Sequence, residues 1–415
     1  MTIKRNNTSV IIYYLVVFDI LFLPYFKIIP LPLSGPLIIL WAFYNVNYLL
    51  NQKRFKIYIV LFSFAILSIL YSYFKYHEIE YYSFYANIKK TIQFGISFIY
   101  YFYFRKYLEE HDGNIRTMLI VFIIFGVLLA LLYINNFAVF LSLKRIWNSK
   151  DSFINFYEQD PTYLFRYNFT WTDPNNPAYA FTSVFFFLLG NYELSLVMVV
   201  MLFICLTFLL IASMSHGAFI AFLFTMLIFI ISNVKSRRGR KYSFIVAAIV
   251  LIFYAAFSNQ IEVNWISSQE VVDTAIKRIQ TTSPESRYNI WTTFLEAKPL
   301  INYLFIGEGI GEGNKLLLDG MLSSPHSGHL YLIYCYGILG YLLFIILFFV
   351  PENIDTHKIS RYIFILPTFI GFTINIIIGE QKYFILEMLL LALVSKEVSV
   401  KESMDYIEYS VTRNG

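Results

Sequence analysis

Apolar residues in this chain neither alternate nor fall on narrow stripes. They run on in long stretches that stop at short clusters of Lys, Arg, Asn or Pro. A helix that crosses a bilayer needs ~20 consecutive apolar residues. By that measure the chain predicts about twelve spans, at roughly 9–26, 31–50, 56–74, 90–104, 117–141, 177–190, 194–212, 217–233, 242–258, 328–350, 360–378 and 383–396. The shortest, 90–104, 177–190 and 383–396, need flanking Tyr or polar residues to cross. Alternating segments of the barrel type are absent. The expected fold is all-α: one polytopic integral membrane domain over 1–415. The first apolar run follows Lys4 and Arg5 without a small-residue cleavage site, so it reads as a retained span rather than a signal peptide.

The polar breaks orient the spans. Lys4, Arg5, Lys53, Arg54, Lys56, Arg105, Lys106, Arg116, Lys235, Arg237, Arg238, Arg240, Lys241, Lys358, Arg361, Lys396, Lys401 and Arg413 fall on one side, which is 18 of the 32 Lys and Arg. Nine of the other 14 lie in two long loops on the opposite side, at 142–176 and 259–327. Basic residues mark the cytoplasmic side, so both termini are expected inside and both long loops outside. A structureless loop as long as 259–327 is unusual. Within it Ser267–Gln280 carries Val271, Val272, Ala275, Ile276 and Ile279 at helical spacing. A second helix is predicted from Pro284 to about Ala297, capped by Ser283 with Pro at its first position. Arg287, Trp291 and Phe294 share one face of it.

Composition narrows the class further. The chain is 58% hydrophobic and only 14% charged, too apolar for a wet surface. The net charge of +5 is a topology signal. Aromatic residues make up 20% and lie inside apolar runs, so they predict lipid-facing rings and interface belts rather than nucleic-acid binding. Cys205 and Cys335 sit in apolar spans and supply neither a disulfide framework nor a metal set.

Four polar clusters interrupt the apolar pattern, all on the expected outer side. The first is Trp171-Thr172-Asp173-Pro174-Asn175-Asn176-Pro177. Asp, Pro and Asn make turns and helix starts in any protein; a lining role for Asp173 and Asn175 is the alternative. The second, Ser213-Met214-Ser215-His216-Gly217, is a tight turn whose His216 gains weight because polar groups at membrane depth tend to line cavities. The third is Arg287, either a surface arginine or an anion clamp, since guanidinium matches phosphate oxygens; Arg278 and Arg166 are weaker candidates of the same kind. The fourth is His326 and His329, at a spacing that suits a metal but without a third ligand. A histidine that titrates near neutrality suits general-base or proton-donor work. Gly307–Gly313 does not follow a strand as a dinucleotide loop must, and Glu308 and Glu312 would repel a phosphate. It reads as a flexible or tightly turned connection. Glu380 and Lys382, in the last outer turn, are placed to border the same hollow.

Together these stretches resemble the O-antigen ligase/polymerase family of membrane glycosyltransferases. Thr172-Asp173-Pro174-Asn175-Asn176-Pro177-Ala178 is similar to the family's Pro-Asn entry to a middle span. Ser215-His216-Gly217 stands where the family has Ser-Arg-Gly. Arg287, Trp291, Pro299-Leu300 and Gly307/Gly309 resemble the next stretch. Gly337 and Gly340 make His326, not His329, the matching histidine, with Ser327 in place of the family's Asn. The resemblance covers Trp171 to Gly340. It implies glycosyl transfer from an undecaprenyl-diphosphate-linked oligosaccharide at the periplasmic face of the bacterial inner membrane, with no cofactor, independent of metal. Arg287 and His326 would be catalytic, with Glu380 second as base. Arg278, Arg166, His216, His329, Asn175, Asp173 and Glu380 would bind substrate. Membrane lipid and a chain-length regulator protein are the implied partners.

The divergent turn favours a polymerase over a ligase that moves glycan to lipid A-core. A transporter or flippase of lipid-linked sugars is the rival of another class. It would bury ionisable groups near the midplane at broken helices in paired halves. Here Asp19 and Glu387 are the few acids within spans, and the halves show no evident repeat.

Overall fold

The computed structural model describes residues 7–25, 31–78, 83–111, 113–147, 154, 165–233, 284–310, 316–318, 321–350, 356–374 and 380–395. In chain order the helices are α1 (Asn7–Phe22), α2 (Gly35–Tyr44), α3 (Val46–Asn51), α4 (Lys53–Tyr76), α5 (Phe84–Glu110), α6 (Arg116–Asn135), α7 (Phe137–Trp147), α8 (Asn175–Asn191), α9 (Leu196–Ser213), α10 (His216–Asn233), α11 (Pro284–Ala297), α12 (Gly328–Phe349), α13 (Ile365–Ile374) and α14 (381–395). The protein is a helical membrane protein. Among the described residues α4, α6, α9, α10 and α12 are each long and apolar enough to cross a bilayer. The predicted span 242–258 and the helix expected over Ser267–Gln280 lie outside the described residues.

The outer surface carries the mark of a lipid solvent. On α4, Ile59, Val60, Leu67, Leu70 and Phe74 are exposed, while Ser68 and Ser72 on the opposite face are fully buried. Many aromatic residues, however, fill the interior rather than face lipid. Phe94, Phe98, Phe344, Phe348 and Phe384 are buried together, with the Phe348 and Phe384 rings stacked at 4.6 Å. In a bilayer, burying apolar area gains little because lipid tails are equally apolar, so close van der Waals packing must hold helices together. Offset aromatic stacks supply it.

Side-chain amides decide where apolar runs break. The predicted span 31–50 divides at Asn45, whose Nδ2 donates to the Trp41 carbonyl at 2.7 Å. Asn competes with the helical backbone in this way, and Lys106 donates to the amide oxygen. The run 117–141 divides likewise at Asn136, whose Oδ1 accepts from Val139 N at 3.2 Å and starts α7. That helix continues to Trp147, so the outer loop expected from 142 begins as helix. The short expected span 90–104 is the 27-residue α5, begun by Ser83 capping Ala86 N at 3.2 Å.

One helix is broken on purpose. Within α12, Gly337 has φ 76° and ψ 170°, a conformation only glycine enters easily. The opened backbone is re-satisfied by the segment after a short 3-10 turn at Leu300–Tyr303. Glu308 N donates to Tyr334 O at 2.6 Å, Gly309 N to Cys335 O at 2.9 Å, and Leu339 N to Leu304 O at 3.3 Å. Broken backbone within a span survives only where protein supplies its hydrogen bonds. The fit is close: a Cβ on Gly307 would meet the Cys335 carbonyl carbon at 2.2 Å. The segment before α12 also contains a two-stranded antiparallel hairpin, β1 (Leu316–Leu318) with β2 (Met321–Ser323), a small exception to the all-α expectation.

The helix ends sort into two groups. Lys106 meets Asn45, Arg54 donates to Leu347 O at 3.0 Å, and Arg361 Nε donates to Asn191 Oδ1 at 3.1 Å. Each of these contacts joins ends that the distribution of basic residues assigns to one side. At the other end, Trp147 Nε1 donates to Phe22 O at 3.0 Å, and Lys75 reaches the 304–310 segment.

Candidate functional site

The first element of the site is the turn that opens α8. Asp173 Oδ1 accepts from Asn175 N at 2.7 Å, an Asx turn that starts the helix. Pro177 lies in the first helical turn, where its missing N–H costs nothing. Asn175 Oδ1 then accepts from Arg166 Nη2 at 3.0 Å and from Ser215 Oγ at 2.7 Å. Arg166 Nε donates to the Ser213 carbonyl at 2.9 Å, capping the C-terminus of α9. A cation suits that end of a helix dipole. Ser215 Oγ accepts from Ala218 N at 3.3 Å and starts α10, leaving His216 exposed at its first position. Arg166, Asp173, Asn175 and the 213–216 turn are thus one hydrogen-bonded unit drawn from three parts of the chain.

Glu380 joins the same unit from the far end of the sequence. Its Oε2 accepts from Thr172 N at 3.0 Å and from Thr172 Oγ1 at 3.2 Å. Its Oε1 is buried without a protein partner. Burial pushes the carboxyl up to about 8, against the opposing pull of the Thr172 amide and the charge of Lys382. Lys382 has a different task. Its ammonium donates to Asp19 O at 2.7 Å and to the Leu23 carbonyl, capping the end of α1, and lies 3.5 Å from Asp19 Oδ1.

The two histidines part company. His329 uses both ring nitrogens within the protein: Nε2 contacts Phe369 O at 3.2 Å and Nδ1 contacts the Tyr341 hydroxyl at 3.0 Å. Because a carbonyl only accepts, Nε2 carries the proton and Nδ1 accepts from Tyr341. This ties α12 to α13, which in turn packs on α8 and α10. His326 is exposed, with φ 48°, just before Ser327 caps Leu330 N at 3.4 Å to begin α12.

The helix carrying position 287 docks on that same α12. Tyr334 OH donates to Phe294 O at 3.3 Å and Lys298 O at 3.1 Å. Phe294, Tyr303 and Tyr334 form a small apolar cluster that includes Ile290 and Leu330. Position 287 lies three residues before Ile290 on α11, and His326 lies four residues before Leu330, ahead of the start of α12. The Arg287 side chain and all of Arg278 lie outside the described residues.

Sequence reasoning missed a second buried carboxylate. Glu308 Oε1 accepts from Lys75 Nζ at 2.8 Å, Tyr303 OH at 3.0 Å and the Tyr76 hydroxyl; Oε2 accepts from Lys298 Nζ at 2.5 Å. Burial alone would raise this group, but the Lys298 charge and the hydrogen bonds from Lys298, Lys75 and Tyr76 outweigh it and hold the carboxyl below the usual range. Of the two readings of the glycine-rich segment, 307–310 follows the tight one; Gly311, Glu312 and Gly313 lie outside the described residues. Only the acid between two glycines hinted at this site, and its partner Lys75 is 233 positions away.

Among the described residues no three His, Cys, Asp or Glu side chains gather where they would hold a metal ion. Residues 201–345 match a protein family described as O-antigen ligase. The match takes in most of α9, α10, α11, the hairpin and most of α12, and so includes His216, Arg278, Arg287, His326 and His329. Arg166, Asp173, Asn175 and Glu380 lie outside it. No curated protein matches the chain.

Proposed function

We propose that this chain, a member of the O-antigen ligase/polymerase family through residues 201–345, is a polymerase that transfers undecaprenyl-diphosphate-linked glycan onto a lipid-linked repeat-unit acceptor. The observation that carries the reading is the unit of Arg166, Asn175, Ser213 and Ser215, which collects separate polar motifs at one end of a bundle with apolar flanks. A lipid-linked diphosphate needs this combination: a lipid-facing groove for its tail and cations at headgroup depth. The resembled pattern carries an arginine within the 213–217 turn. Here His216 stands in that place and Arg166 brings a guanidinium to the turn from the first outer loop.

In the proposed step, the acceptor sugar's hydroxyl oxygen attacks the anomeric carbon of the donor. His326 takes the hydroxyl proton as general base. The bond from that carbon to the diphosphate oxygen breaks, and the diphosphate leaves with the electron pair. Arg287, with Arg278 and Arg166, offsets the charge that develops there. Asp173, Asn175 and His216 hold the turn against which the donor lies. The membrane arrangement proposed with it has about twelve spans, cytoplasmic termini and a periplasmic site in the inner membrane. A chain-length regulator is the proposed protein partner.

The family description itself names the ligase, which differs in acceptor alone and stands as the second reading. A deletion strain separates the two on a lipopolysaccharide gel. Loss of the ladder with one repeat left on the core supports the polymerase. Bare core with accumulating lipid-linked polymer supports the ligase instead. Arg287→Ala is expected to abolish the ladder at an unchanged protein level, and an intact ladder would remove Arg287 from the step.

A further inference from the structure

Glu380 differs from the other residues of this unit in holding it from behind. Two donors of one residue, Thr172, converge on a single carboxyl oxygen, at 3.0 and 3.2 Å. Thr172 is the residue before the Asx turn, and that turn sets the Asn175 side chain between Arg166 and Ser215. A chain of contacts therefore runs from the start of α14, through Thr172 and Asn175, to the α9–α10 turn. Glu380 is 1% exposed, and its second oxygen has no protein partner. An ionised carboxylate in such a place carries a large desolvation cost that only a paired cation offsets.

The charged groups around it are engaged elsewhere. On its own helix, Lys382 binds Asp19 and carbonyls of the α1 end. On α1, Asp19 also accepts from Ser34 N at 2.6 Å. On α7, Lys144 donates to the Trp171 carbonyl. In the loop, Asp173 accepts from Asn175 N and Arg166 serves Ser213 and Asn175. On the inward side, Tyr383 and Glu387 meet at Thr368 of α13.

We propose that Glu380 is a positioning residue that works as the neutral acid: it holds the Thr172 turn so that Asn175 keeps Arg166 and Ser215 in place for the glycan diphosphate. Only the last clause rests on the transferase reading. Gln is the close mimic of the neutral acid, since its carbonyl oxygen accepts both Thr172 donors. Ala removes them. Ionisation of Glu380 removes neither contact but places in a dry site a charge that Lys382, committed to Asp19 and the α1 carbonyls, opposes only in part.

The test compares wild type, Glu380→Gln and Glu380→Ala as full-length protein, assayed with lipid-linked oligosaccharide in liposomes across about pH 6 to pH 9. With the carboxyl titrating at about 8, wild-type transfer should fall about tenfold from the plateau by about pH 9. Glu380→Gln should recover the activity that Glu380→Ala loses, and should lack the alkaline fall. Melting temperature is the second readout: the wild type should lose stability as pH rises from about 6 to about 8 and level off above that, while Glu380→Gln should show no such loss. A parallel alkaline decline in wild type and Glu380→Gln would overturn the proposal. So would a folded Glu380→Gln that is inactive at every pH, since the carboxylate would then be the required form. If the wild type transfers no glycan, the transferase reading fails, and the melting comparison still decides the state of Glu380. If Glu380→Ala does not fold, the Gln variant alone decides it.

Discussion

Glu308 and Glu380 are both buried carboxylates at the same end of the bundle, and they are held in opposite ways. Two ammonium groups and two tyrosine hydroxyls converge on Glu308. Among the described residues Thr172 alone donates a hydrogen bond to Glu380, on one oxygen. Burial acts on both groups, raising each, but only Glu308 has enough charge compensation to reverse it. The first is therefore a fixed anion that fastens the 304–310 segment into the kink of α12. The second is a group whose surroundings favour the neutral acid. Burial by itself thus says little about a carboxylate's task; the number and charge of its donors decide it.

The largest expected effect comes from cutting the fastened site. Glu308→Ala leaves Lys298 and Lys75 facing each other without their anion and frees the 304–310 segment. Breaking a buried ion pair on one side costs about 3–5 kcal/mol. The folded yield in detergent and the thermal unfolding midpoint should both drop sharply. A variant as stable as wild type would erase the distinction between the two sites.

The next effect is a dependence on acid. Glu308 has a folded value below its unfolded 4.5. Its contribution is therefore complete above that value and is lost as pH falls through the folded value. Glu380 has a folded value raised above 4.5, so its burden grows as pH rises towards about 8. Melting temperature should accordingly fall on the acid side through Glu308 and on the alkaline side through Glu380. Glu308→Gln, where it folds, should flatten the acid side only.

The smallest effect sharpens the comparison within the Glu308 site. The Lys75 side chain is 43% exposed and that of Lys298 only 11%. An exposed partner is screened by water and contributes about 0–1 kcal/mol. Lys75→Ala should therefore shift the unfolding midpoint only slightly, and Lys298→Ala clearly more. Equal shifts would show that exposure does not rank the two ammonium groups.

Most helices were readable from the chain, because a bilayer demands a long apolar run and that demand is local. The predicted 56–74, 194–212, 217–233 and 328–350 correspond to α4, α9, α10 and α12 within a few residues. Breaks at Asn45 and Asn136 were not read, since one amide inside an apolar run scarcely alters its hydropathy yet redirects the backbone. Of the candidate site, Asp173, Asn175 and His216 stood out as polar clusters, and Arg166 only as a weak candidate. His329 looked equivalent to His326 until Tyr341 and Phe369 took up its two nitrogens.

Residue order alone established the solvent of this protein and the placement of most of its helices, since both follow from local hydropathy. Which arginine reaches the α9–α10 turn, which carboxylate is compensated and which lysine merely caps a helix were settled by packing. Those outcomes depend on partners that include pairs 47 and 363 positions apart, and the cost of a buried charge depends on every group that folding brings within a few ångströms of it.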